Sequence, residues 1–124
     1  MSWFDFPTKR QQNSANKIHI VIYVPSTKQF SKPVTGREFK KRIRETAKFL
    51  NRTFGGTTRI SGIGSYTLNE KIIDERVVKV ETFTKVKDYH KADLKVKKFI
   101  QQKRRSWGQD SIGYEFEETM HFVK

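Results

Sequence analysis

The chain has no cysteine, so it can form no disulfide and offers no thiolate to a metal. That absence permits a reducing compartment. No apolar run reaches membrane-spanning length and the N-terminus has no signal-peptide core, so no membrane partner is expected and the expected location is cytoplasmic. Acid is scarce as well: 13 Asp and Glu face 26 Lys and Arg, for a formal net charge of +13 at pH 7. Hydrophobic residues make up only 35% of the chain, low in aliphatics but with ten Phe, which fits a thin two-layer fold better than a deep core. At 124 residues one domain with one core is expected. The 31% of charged residues would permit disorder, but the apolar residues recur with strong periodicity and argue for a folded chain.

The positive charge that is present is concentrated. Residues 32–52 carry eight cations (Lys32, Arg37, Lys40, Lys41, Arg42, Arg44, Lys48, Arg52) against Glu38 and Glu45. Residues 85–105 carry nine (Lys85, Lys87, Lys91, Lys95, Lys97, Lys98, Lys103, Arg104, Arg105) against Asp88 and Asp93. The C-terminal stretch 106–124 is acidic, with Asp110, Glu115, Glu117 and Glu118 against Lys124. A segregated charge of this kind makes a one-sided field that attracts polyanions.

Residues 1–16 are polar after an aromatic cluster, Trp3, Phe4 and Phe6, and read as a flexible N-terminal arm to a domain over 17–124. Residues 17–24 alternate, with Ile18, Ile20, Ile22 and Val24 on one face and His19, Val21 and Tyr23 on the other, as a central strand does. Thr35 and Glu38 form a capping box ahead of Phe39, Ile43, Ala47, Leu50 and Phe54, one stripe of a helix that Gly55-Gly56 stops. Residues 57–68 and 71–85 read as two strands joined near Asn69-Glu70, the first bulged or at an edge because of Gly62 and Gly64. Asp88 is the expected N-cap of a second helix, with Ala92, Val96, Phe99, Ile100 and Trp107 as its stripe and Gly108 as its stop. Residues 111–123 are extended again. The order βαββαβ gives an α+β chain of the ferredoxin-like split βαβ type: a four-stranded antiparallel sheet, spatial order 4-1-3-2, with two helices on one face.

On that fold the outward helix faces gather Lys40, Lys41, Arg44, Lys48, Lys95, Lys97, Lys98, Lys103, Arg104 and Arg105 into one basic surface, a candidate nucleic-acid-binding face. The open sheet face carries Tyr23 and Phe83, but the local carboxylates and the missing glycine-aromatic signature argue against an RNA platform, and pairing with a second copy is the preferred reading. His19, Glu81 and Glu115 would lie on three adjacent strands as a weak candidate for acid–base chemistry. Gly55, Gly56, Thr57, Thr58 and Arg59 could surround a phosphate, although no Gly-Lys-Ser/Thr follows and the glycines end a helix rather than begin one. No cofactor or metal is implied.

Several segments together carry a resemblance: Tyr23 to Ser26, Phe54 to Thr58, Gly62 to Tyr66, Asp74-Glu75, Trp107 to Glu115 and Met120 to Val123. Over residues 20–123 the chain resembles a family of small uncharacterised proteins from bacterial and archaeal plasmids and viruses. The resemblance implies a mobile-element context, carries over no activity, and draws attention to the Gly-rich hairpin, Glu75, Gln109 and Glu115. The leading expectation, drawn from the basic surface, is a non-enzymatic, dimeric protein that binds nucleic acid through phosphate contacts. The alternatives are a phosphodiesterase or signalling-nucleotide-handling protein at the Gly-rich edge or open sheet face, and a mobile-element protein that binds a host protein.

Overall fold

The computed structural model describes residues 17–29, 32–116 and 119–124. The expected arm over 1–16, with its aromatic cluster, and Glu117 on the final strand lie outside the described residues.

The chain runs β1 (Lys17–Pro25), β2 (Thr27–Lys28), β3 (Lys32–Pro33), α1 (Gly36–Phe54), β4 (Thr58–Leu68), β5 (Lys71–Lys85), α2 (Val86–Ser106), β6 (Ile112–Phe116) and β7 (Thr119–Val123). It is α+β: a five-stranded antiparallel sheet of order β4-β5-β1-β6-β7, two long helices, and a small β2-β3 pair. The expected four-stranded sheet is corrected to five strands. The extended tail folds into a hairpin in which Ile112 faces Val123 and Phe116 faces Thr119, so β7 takes the edge.

Alternation along the strands builds the core. Ile18, Ile20, Ile22 and Val24 of β1 and Val78 and Val80 of β5 are buried, as are Leu50 of α1 and Val96 and Ile100 of α2. Both helices pack on that one sheet face, where Phe49 stacks on Phe99 with ring centroids 4.1 Å apart. Burying each such side chain contributes roughly 1.5–3 kcal/mol.

α1 starts and stops as its sequence requires: the Glu38 N–H donates to the Thr35 hydroxyl at 3.1 Å, and Gly55 closes the helix in the left-handed region at φ 108°. α2 departs from expectation at its start, where Lys85 is the N-cap and no side chain caps it, so Asp88 lies inside the first turn. There its charge still complements the helix dipole. β4 pairs with β5 in unbroken register from Thr58 opposite Glu81 to Leu68 opposite Lys71. It is therefore an edge strand without a bulge. The turn between them places Asn69 and Glu70 both at positive φ, 50° and 65°, as a two-residue hairpin loop requires.

Candidate active site

The open face of the sheet holds the odd-numbered residues of β1 and β5. Register sets His19 opposite Phe83, Val21 opposite Glu81 and Tyr23 opposite Lys79, with Glu115 of β6 on the other side of Val21. At the Pro25 end, the longer β4-β5 hairpin and the chain after α2 border a half-open cavity of about 560 Å³. Its floor is short: Gly62, Gly64 and Gly113 contribute backbone only. Its apolar side chains on the open face are Val77 and Phe122, and its polar groups are Tyr23, Tyr66, Glu75, Lys79, Gln109 and Ser111. An apolar pocket with a few convergent polar groups is the ordinary form of a small-molecule site.

The polar groups are held in place. The Tyr23 hydroxyl donates to Glu115 Oε1 at 2.5 Å. Burial, reinforced by the hydrogen bond and charge of Glu115 and by the charge of Glu81, pushes the Tyr23 phenol up to about 12. The phenol thus stays protonated at neutral pH. The Thr27 hydroxyl donates to Glu75 Oε2 at 2.5 Å, and the Gln109 amide donates to the Thr27 carbonyl at 2.6 Å. Lys79 Nζ lies 5.7 Å from the centroid of the Tyr23 ring, a cation–π distance.

The residues singled out in the sequence separate into four places. Glu75, Gln109 and the Gly62–Gly64 segment meet in the cavity, and Glu115 reaches it through Tyr23. His19 and Glu81 do pair, at 3.6 Å, but away from the cavity, where His19 stacks on Phe83 at 4.6 Å. The trio His19, Glu81 and Glu115 does not converge, because Glu115 turns to Tyr23 instead. Among the described residues no group of three or more His, Asp or Glu is gathered as a metal site. Gly55 to Arg59 sit at the other end of β4, where Gly55 caps α1 and the Gly56 carbonyl accepts from the buried Thr82 hydroxyl at 2.6 Å.

The basic residues singled out lie on the helical layer, and none of them lines the cavity. Lys40, Lys41, Arg44 and Lys48 line a shallow depression on α1, and local acids neutralise part of the charge. Glu45 pairs with Lys103 at 2.6 Å and with Lys41 at 3.9 Å, and Asp93 pairs with Lys97 at 3.0 Å. The Tyr89 hydroxyl, burdened only in part by burial and aided by Lys97, holds the Asp93 carboxyl below its usual range. Arg104 is turned inward to Gln101 and to the Gln109 carbonyl. Lys95, Lys98 and Arg105 complete the surface.

No protein-family model matches the chain, and no curated protein does. Among solved structures, a phage SAM lyase in complex with S-methyl-5′-thioadenosine matches with a TM-score of 0.64 at 14% identity, over 99% of this chain and 96% of that one. The chain shares its fold with a phage enzyme. A phage SAM lyase in its apo state matches with a TM-score of 0.61 at 14% identity, over 86% of this chain and 88% of that one. These neighbours overturn the expectation of a nucleic-acid-binding protein: the solved chains that share this fold are phage SAM lyases, one of them with a small ligand bound. The physical reason is that acids on the helices pair several of the cations: Lys41 with Glu45 and Lys97 with Asp93 one turn apart within a helix, and Lys103 with Glu45 between α2 and α1.

Sequence reasoning missed Lys79 and Phe122 as cavity residues, and Thr27 as the residue behind the cavity that holds Glu75. For Lys79 and Phe122 the strand alternation held the signal, since both fall on the open face. For Thr27 it held none.

Proposed function

We propose that the chain is a small lyase that takes S-adenosylmethionine (SAM) into the cavity on the open sheet face and releases S-methyl-5′-thioadenosine. The observation that carries this reading is a likeness to the thioadenosine-bound lyase over nearly the whole of both chains, joined to a cavity that offers the groups such a substrate needs. The glycine floor and the Phe122 and Tyr66 rings suit a flat adenine. Glu75 suits the cationic end of the substrate, and Lys79 suits its carboxylate.

The chemistry balances without water. The bond between the sulfonium sulfur and the four-carbon amino-acid chain breaks, and its electron pair stays on sulfur, which becomes a neutral thioether. The remaining fragment closes through its own carboxylate oxygen, which bonds to the terminal carbon as the bond to sulfur breaks. The sulfonium charge therefore diminishes in the transition state. A water-poor pocket that destabilises the separated charges of the substrate therefore favours the reaction. The protonated Tyr23, its one O–H given to Glu115, presents a neutral phenol to the cavity and adds no charge of its own to oppose this step.

Incubation of the purified chain with SAM, followed by mass spectrometry, tests the reading. S-methyl-5′-thioadenosine should accumulate, and Glu75→Gln should slow its release by about 100-fold. An unchanged SAM pool would overturn the proposal.

A further inference from the structure

Behind the cavity, on its helix side, lies an arginine that touches none of the space a ligand would fill. The Arg42 side chain is only 2% exposed. Its Nη1 donates to the carbonyls of Pro25 at 2.9 Å and Thr27 at 2.8 Å, and its Nη2 to the carbonyl of Trp107 at 3.2 Å. Its Nε donates to Glu38 Oε1 at 3.2 Å, and its guanidinium lies 5.4 Å from the Trp107 ring centroid. One side chain thus joins the end of β1, the β2 segment and the end of α2. Burial lowers the Arg42 pKa from its ordinary value, while Glu38 and, less strongly, Glu45 and Glu75 favour its charged form.

The two segments that Arg42 holds are those that build the polar rim. Thr27, whose carbonyl Arg42 clamps, aims its hydroxyl at Glu75; Gln109, two residues past the clamped Trp107, donates to the same Thr27 carbonyl. The Gln29 N–H donates to the Gly108 carbonyl at 3.0 Å and closes the two segments on each other. Carbonyls that converge on one buried point need a planar, multi-donor cation, a geometry that lysine cannot reproduce.

We infer that Arg42 is the positioning residue of the cavity, fixing Glu75 at a distance through Thr27 and fixing Gln109 through the chain after Trp107. As a statement about ligand affinity, the inference rests on the cavity reading above. As a statement about the two segments, it stands alone.

The test uses both. In Arg42→Met, amide hydrogen exchange at Gln29 and at Val34, whose N–H donates to the Ser26 carbonyl at 2.9 Å, should quicken by at least about tenfold while Ile20 and Ile22 of β1 keep their rates. Arg42→Lys, which keeps the charge and most of the stem, should show the same pattern at smaller size. A uniform rise across β1 and α1 would make Arg42 an ordinary fold residue, and no rise would make it idle; either outcome overturns the inference. With S-methyl-5′-thioadenosine as probe, Arg42→Met and Thr27→Val should each weaken binding by about tenfold, Thr27→Ser should bind as wild type, and the double variant should be no worse than either single one. Additive losses would break the proposed relay. If the wild-type protein binds no thioadenosine, the cavity reading fails while the exchange pattern still decides the role of Arg42.

Discussion

Tyr23 and Glu115 show how a single contact couples the site to stability. The phenol holds its proton more tightly in the folded chain, where its pKa is about 12, than in the unfolded chain, where it is 10.0. The folded state therefore binds the extra proton between those values, and stability falls as the pH rises through them. Below pH 10 the contribution is present in full. Tyr23→Phe removes that titration, so the loss of stability from pH 10 to about 12 should be smaller in the variant, as read by alkaline denaturation. At neutral pH the variant should be less stable by about 1–3 kcal/mol, because Glu115 loses its donor in a half-buried setting. Superimposable alkaline curves would refute this account. The contact spans 92 positions of the chain, which is why neither residue announces the other in the sequence. Arg42 is similar: two of the carbonyls it clamps lie 17 and 65 positions away, and its sequence context marks it only as one more cation. What local spacing does reveal is local, such as the Thr35 cap and the Gly55 stop, whose partners lie within one turn.

Among the elements, the β4-β5 hairpin decides whether the open face is flat or concave. β5 has 15 residues, and only its Val77–Lys85 half pairs with β1, so the rest of the ribbon extends past β1 and walls the cavity. The glycines of β4 matter here for space rather than for backbone conformation. A Cβ built at Gly62 meets nothing within 4 Å, and register opposite Val77 turns it to the open face. Gly62→Val should therefore be accepted by the strand and raise thermal stability by up to about 1 kcal/mol, since β-branched residues suit strands and glycine does not. The same side chain would enter the cavity, so affinity for S-methyl-5′-thioadenosine should fall by about tenfold, as measured by calorimetry. A variant equally stabilised but binding normally would show that the ligand lies elsewhere. The sequence marks Gly62 and Gly64 as unusual for a strand but reads them as a bulge or edge. Only the pairing register separates a bulge from a floor, and register is a long-range property.

For the whole molecule, the net charge of +13 acts on a proposed substrate that is itself cationic. SAM carries a sulfonium and an ammonium against one carboxylate, so the long-range field of the protein opposes its approach. The carboxylates Glu75, Glu81 and Glu115 on the sheet layer act locally against that field, while most of the cations lie on the helical layer. Salt separates the two effects, because the Debye length falls from about 30 Å at 0.01 M to about 8 Å at 0.15 M. The distant repulsion is screened first and contacts inside the cavity last. SAM affinity should therefore rise by about two- to threefold across that range, while the uncharged S-methyl-5′-thioadenosine should bind with the same affinity throughout. A polyanion would show the opposite slope, with affinity falling steeply as counterions lose their release entropy. Calorimetric titrations of the two small ligands at both salt concentrations measure this directly. A SAM affinity that drops with salt would place its dominant contacts with exposed charge rather than with Glu75 in the cavity.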